Sequence, residues 1–216
     1  MFRRLTMKSI FNLDSPLIRG LGKIADLMIL NLLYLISCIP IITIGAANAA
    51  LYDVTTRLAK DEALIWRHYW QAFRSNFKKA TIIWMIFLVS GAVLYGCAAL
   101  YWSFDLPNKA ISLFLLGIAA VAWMCIFSWV FILQARFENS LRNTLHNALL
   151  CSFSYLPRTV LMALLNAVFP IVVLLLPAVL FNAIFVLLII WFSGIAYLNT
   201  LLLRKTMKQL EEMADE

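Results

Sequence analysis

The placement of charge constrains this chain more than any motif in it. Its 18 basic and 11 acidic residues all avoid four windows, residues 27–52, 80–104, 110–133 and 159–203. Hydrophobic residues make up 63% of the chain and the mean hydropathy is +0.88, against roughly 45–50% apolar residues in an ordinary soluble domain. A water-soluble fold of this size has no interior large enough for so much apolar surface, so the charge-free windows read as membrane.

Length divides those windows into spans. At 1.5 Å per residue the second and third are each about 36–38 Å long, enough to cross a ~30 Å hydrocarbon core once with some tilt. The fourth would measure about 67 Å as one helix and must fold back on itself. Pro177 and Asn182 mark the turn, giving arms near 159–177 and 182–203. The runs lack the ten-residue alternation of barrel strands, and a helix satisfies its backbone polar groups within one segment. The expected fold is therefore all-α: a polytopic helical bundle, one domain over residues 1–216, with membrane segments near 24–52, 80–104, 110–133, 159–177 and 182–203. It has five to six membrane helices, depending on how the first segment is built.

Orientation follows from the basic residues, which collect on cytoplasmic loops. Six Lys or Arg lie in 53–79, three in 134–158 and three in 204–216, whereas the connections at 105–109 and 177–182 hold one Asp and one Lys between them. This places the C-terminus in the cytoplasm. The first window is different, because Arg3, Arg4, Lys8, Arg19 and Lys23 precede it and basic residues also follow it. Pro40 in mid-window and the small-residue stretch at 45–50 favour a broken or re-entrant hairpin with both flanks inside, over a single span with the N-terminus outside. Ala47-Asn48-Ala49 also has the form of a signal-peptidase site. The polar leader before the apolar run is long, however, and Gly45/Ala49 and Ala46/Ala50 fit the small-xxx-small spacing of close helix packing. Pro40, Thr43, Gly45, Ala46, Ala49, Ala50 and Tyr52 are accordingly the candidate packing motif. Asp14-Ser15-Pro16 reads as a helix start.

Two amphipathic segments flank the spans. Residues 64–79 set Trp66, Tyr69, Trp70, Phe73 and Phe77 on one face and Arg67, Arg74 and Lys78 on another, the pattern of an interfacial helix that meets headgroups or an acidic partner. Residues 137–150 set Phe137, Leu141, Leu145 and Ala148 on one side, with two rows opposite, Asn139, Asn143 and Asn147 beside Glu138, Arg142 and His146. Glu138 and Arg142 stand in the favourable i,i+4 order. Candidate contacts to lipid or partner are Trp66, Arg67, Trp70, Phe73, Arg74, Asn139, Arg142 and His146. A faint likeness joins the two segments at an offset of 78 residues, pairing His68 with His146 and Thr81 with Thr159. Chance similarity of two interfacial helices accounts for it better than duplication.

Several function classes lose support. Ion-coupled transport needs ionisable groups within the membrane, and the windows hold none. Asn166, Asn182, Asn199, Ser128, Ser193 and Thr200 read as hydrogen-bonding glue between helices. His68 and His146 are the chain's two histidines and neither lies near a nucleophile and carboxylate, so the chain is not expected to be an enzyme. Cys38, Cys97, Cys125 and Cys151 lie in or beside apolar runs without ligand spacing, and neither a metal nor any other cofactor is expected. Nucleic-acid binding would need a broader basic surface.

The run ADLMILNLLYLISCIPIITIGAANAALYDVTTRL (25–58) resembles the N-terminal signature of the YesL-like family, a domain of unknown function, through Pro40, Thr43-Ile44-Gly45-Ala46 and Ala50-Leu51-Tyr52. FNLDSPLIRGLGKIADL (11–27), WQAFRSNFKKATIIW (70–84) and SLRNTLHNALLCSFSYLPRT (140–159) resemble it as well. The resemblance implies a small polytopic protein of Gram-positive bacteria, encoded near carbohydrate ABC importers, solute-binding proteins and glycan-degrading enzymes. That setting implies an accessory role in sugar uptake, with importer permease subunits as partners. The chain does not resemble a permease itself: of the coupling segment only Leu156-Pro157 is present, without Glu-Ala-Ala or the following glycine. A sensor coupled to a signalling kinase and an independent small-solute facilitator stay open, and the oligomeric state is not legible.

Overall fold

The computed structural model describes residues 16–62, 64–104, 108–175 and 187–214. All regular structure among the described residues is helical: α1 (Pro16–Cys38), a 3-10 turn (Ile41–Thr43), α2 (Ile44–Ala59), α3 (Ile65–Ser103), α4 (Lys109–Arg136), α5 (Leu141–Ser154), α6 (Leu156–Leu175), a π turn (Leu187–Trp191) and α7 (Phe192–Ala214). Three helices, α1 from Ile18, α3 and α4, are long and apolar enough to cross a membrane. A fourth crossing is counted if the bent pair α5–α6 forms one broken span. The expected turn at Pro177–Asn182, and Asp14 and Ser15 of the expected helix start, lie outside the described residues.

Pro40 breaks the first apolar window. Proline has no N–H to donate and its ring clashes with the preceding helical turn, so α1 ends at Cys38 and the chain reverses. Thr43 secures the reversal, its hydroxyl reaching the carbonyls of Ser37 at 2.5 Å and Pro40 at 2.7 Å. Three contacts then show the two limbs running antiparallel: Ser37 with Thr43, Tyr34 Oη to Asn48 Oδ1 at 3.3 Å, and Lys23 Nζ to Asp61 Oδ1 at 2.8 Å. Both flanks of the hairpin therefore lie at one end of the molecule. Asp61 closes α2 in the left-handed region, at φ 61°, a conformation that Asp and Asn tolerate better than most residues. The hydrogen bond from Lys23 holds its carboxyl below the ordinary carboxylate range. This exposed clasp is intact at neutral pH and opens as pH falls through that depressed value.

The hairpin does not run the length of α3. Gly45 lies against Ala80, and Asp53 and Arg57 face Ala72 and His68 across one cleft. The indole N–H of Trp84 donates to Ile41 O at 2.8 Å at the hairpin tip. α2 thus pairs with residues 65–84 of α3, and its tip stops about 28 Å short of Ser103 at 1.5 Å per residue. The segment 24–52, read as a hairpin broken at Pro40, holds two helices, and the second, the 16-residue α2, runs on to Ala59 and lies beside the basic part of α3.

Residues 64–79 depart from expectation. They form no separate interfacial helix, because no proline or glycine interrupts 64–90 and α3 runs unbroken for 39 residues. That is about 58 Å, nearly twice a ~30 Å hydrocarbon core, so the N-terminal part projects beyond it. α5 behaves as the amphipathic pattern suggests and lies at 106° to α6. Pro157 prevents the helix from running through, and Ser140 caps α5 by accepting from Asn143 N at 3.3 Å. Because the helix begins at Leu141, Glu138 precedes it, and the i,i+4 pair of Glu138 with Arg142 does not form on a helix.

Buried polar side chains join the helices. Trp129 Nε1 donates to Thr159 Oγ1 at 2.8 Å, linking α4 to α6, and Thr55 meets Thr200 at 3.0 Å, linking α2 to α7. Asn31 of α1 accepts the backbone N–H of Ser193 at 3.0 Å, two residues past the π turn, where the wider turn shifts the helix's own hydrogen-bond register. Arg136 pairs with Glu211 at 2.6 Å, and Arg158 with Thr206, near the other end of α7. The loop charges thereby gather at one end, while Lys109, whose Nζ donates to Trp102 O at 3.3 Å, stands at the other.

Gly45 is the tightest test of this packing. A Cβ there would overlap the carbonyl oxygen of Ala80 and lie 2.6 Å from Trp84 Cβ. Gly45→Ala is expected to lower stability by about 1–3 kcal/mol through overpacking. Gly96→Ala, where a methyl meets nothing within 4 Å, should be neutral or stabilise by up to ~1 kcal/mol. Thermal unfolding of both variants in one detergent reads the difference, and equal midpoints would refute the assigned contact.

Candidate docking surface

The charged end is built by α2, the projecting part of α3, the end of α4 and α5. On α3 the aromatic residues do not share one environment. Tyr69 is fully buried, Trp70 and Phe73 pack partly against the core, and Trp66 is 66% exposed. Their rings form a ladder in which Trp66 meets Trp70 edge-on at 6.1 Å, Trp70 meets Phe73 at 5.6 Å and Phe73 meets Phe77 at 5.6 Å. Such edge-to-face contacts stiffen the outer rings by anchoring them to buried ones. Trp66, Arg67, Trp70, Gln71, Arg74 and Ser75 line one shallow open depression. The structure thus brings together four of the expected contact residues on α3 and turns their cations outward.

The expected residues on the second segment lie elsewhere. Arg142 and His146 are exposed on α5, and the backbone carbonyl of Asn139 accepts from Lys79 Nζ at 3.0 Å. Between the two groups is a polar cleft of about 450 Å³, whose walls include Asp53, Arg57, His68, Lys79, Gln134 and Glu138. Gln71 and Ser75 belong both to this cleft and to the aromatic depression. Reading the sequence did not single out this cleft. The spacing of Asp53 and Arg57 signals an i,i+4 pair, found here at 2.9 Å, but nothing local shows that it faces α4.

Charge in the cleft is largely committed. Hydrogen bonding to Asp53 raises the Arg57 guanidinium above its ordinary value. His68 Nδ1 accepts the backbone N–H of Leu64 at 3.1 Å, satisfying one of the orphan donors at the start of α3, so this histidine is a helix cap. Gln134, 3% exposed, donates to Asn76 Oδ1 at 3.1 Å and accepts from Thr144 Oγ1 at 3.3 Å, joining α3, α4 and α5. No group of three or more His, Cys, Asp or Glu with metal-binding geometry occurs among the described residues.

The packing motif lies behind this surface. Ala46, Ala49 and Ala50 are fully buried between α2 and its neighbours, and Tyr52 accepts from Asn199 Nδ2 at 3.4 Å. Pro40 and Thr43 form the hairpin tip, and Gly45 meets α3.

A family model described as a protein of unknown function, DUF624, matches residues 27–96. The match takes in the Pro40 break, α2 and most of α3. No curated protein and no solved structure matches the chain.

Gln134→Leu is expected to cost about 1–3 kcal/mol, because it strips partners from Asn76 and Thr144. Trp66→Ala and Arg67→Ala should each change stability by no more than about 0.5 kcal/mol, as exposed surface positions do. Denaturation midpoints of the three variants, compared in one detergent, decide whether the depression is free of structural duty.

Proposed function

We propose that this chain is a non-catalytic accessory protein of the bacterial cell membrane, docking through its charged end onto a partner membrane protein. The partner proposed is the permease of a carbohydrate ABC importer. The observation that carries docking is the exposed depression of Trp66, Arg67, Trp70 and Arg74 on a rigid helix extending beyond the apolar spans. Aromatic and Arg side chains are the residue types enriched at the centres of protein interfaces. The right-angled α5 adds Arg142 and His146 as a second exposed row nearby. The importer enters through the YesL-like resemblance, with which the DUF624 match over residues 27–96 is consistent. The hairpin flanks and the loop charges at one end, taken with the positive-inside bias, support a cytoplasmic docking surface and C-terminus.

Affinity purification of the tagged chain in mild detergent from its native membrane, grown on different carbohydrates, tests the reading by mass spectrometry of what accompanies it. An importer permease and its solute-binding protein are expected at near-stoichiometric yield. The combined Trp66→Ala, Arg67→Ala and Arg74→Ala variant should lower that yield at least tenfold at unchanged expression. Recovery of the chain alone, or with a histidine kinase in place of the permease, overturns the importer assignment.

A further inference from the structure

A second site lies between the helices, away from the docking surface. Six of the seven described helices, all but α5, line a half-open cavity of about 220 Å³ near the hairpin tip. Its hydrogen-bonding groups come from three helices: Tyr34 on α1, Asn48 and Tyr52 on α2, and Asn166 on α6. Aromatic faces supply much of the rest, among them Trp84 and Trp191. Two irregularities of the backbone border it. The Pro40 break precedes Ile44 and Asn48, and the π turn ends at Trp191. π turns within helices recur at functional sites, and membrane binding sites are commonly formed where helices are interrupted.

The lining selects a ligand class. Among the described residues it includes no Asp, Glu, Lys, Arg or His, so a charged ligand would lose its hydration without a counter-charge from them, which is costly in so apolar a place. A purely apolar ligand would leave the converging amides and hydroxyls without purpose, since a few placed polar groups in an apolar pocket are what orient a ligand. Hydrogen-bonding capacity is available. Asn48 Oδ1 accepts from Tyr34, and no bond from its amide N–H₂ is found among the described residues. Tyr52 Oη accepts from Asn199 and keeps its own proton to donate. Asn166 is held by Asn199 on one side, at 3.2 Å, and donates to Ser128 on the other, at 3.3 Å, so its amide orientation is preset. The volume equals the liquid share of about seven waters at ~30 Å³ each and is below the ~300 Å³ of drug-sized sites.

We infer that this cavity binds a compact, uncharged, hydroxylated solute, no larger than a monosaccharide, held by Asn48, Tyr52 and Asn166 with its C–H faces against Trp84 and Trp191. This goes beyond docking and does not depend on it. A chain that docks without binding solute, or binds without docking, separates the two readings.

The purified full chain in detergent, without partner, is titrated by equilibrium dialysis with radiolabelled D-glucose, myo-inositol and glycerol as neutral probes, and with choline and glucose 6-phosphate as charged ones. Saturable binding of at least one neutral probe, near one per chain, is expected, with the charged probes at least tenfold weaker. Asn48→Leu should weaken that binding at least tenfold in a chain that stays folded, with the melting temperature lowered by the loss of the Tyr34 hydrogen bond. Tyr52→Phe, which keeps the ring and removes the proton donor, should weaken it severalfold and guards against a folding defect in the first variant, while Trp66→Ala should leave it unaltered. No saturable neutral binding, equal or tighter binding of choline or glucose 6-phosphate, insensitivity to both cavity variants, or a tightly co-purified lipid that the neutral probes cannot displace would each overturn the assignment.

Discussion

The contact between Gly45 and the backbone of Ala80 is the constraint on which the arrangement depends. Hydrophobic attraction between helices is weak in lipid, because lipid tails are as apolar as the side chains, so close backbone approach and interhelical hydrogen bonds do the joining. With no side chain at Gly45, and with Ala46, Ala49 and Ala50 beside it, α2 can lie directly on α3. That seating sets the depth of the hairpin tip at Trp84, brings Asp53 and Arg57 over the cleft, and carries Asn48 and Tyr52 to the cavity. A bulkier residue at position 45 would move all three features together.

The polar side chains within the bundle serve a related end. Asn31, Thr55, Thr159 and Asn199 are fully buried, and each bonds to a different helix from its own. A buried polar group costs free energy unless it is paired, so a helix that slid or rotated would leave several such groups unsatisfied at once. These bonds therefore select one register among apolar surfaces that would otherwise slip past each other. Asn199 Oδ1 is buried without a partner among the described residues, while its Nδ2 donates to Asn166 Oδ1 at 3.2 Å.

Two regions of different chemistry result. The end that gathers the loop charges offers exposed cations, a stiffened aromatic ladder and a cleft whose charges are largely paired, a combination suited to recognition of another protein. The interior offers neutral hydrogen-bonding groups and aromatic faces in a space for a small solute. They meet on α2 and α3, where Asp53 and Trp84 belong to one helix pair. A solute seated against Asn48 would stabilise the hairpin's position on α3, and the same pairing shapes the cleft.

Much of this was legible along the chain. Charge-free windows identify the long apolar helices, Pro40 identifies the break, and the helical spacing at 137–150 matches α5, whose Leu141 and Leu145 pack on the core, with Phe137 packing there from just before the helix. Residues 64–79 read as an interfacial helix because amphipathicity is identical whether a helix lies in the membrane plane or continues straight into a span. Only the uninterrupted stretch to residue 90 hinted at the latter. The sequence by itself determined what local properties can determine: which segments leave water, that they are helical, where they break, and which flanks carry charge. Tertiary structure alone decided the depth of the hairpin, the partner of Gly45, the cleft between α2 and α4, and the cavity shared by six helices. Hydropathy and helix propensity act over a few consecutive residues, whereas these features depend on distances between side chains as far apart in the chain as Tyr34 and Asn166, which only packing brings together.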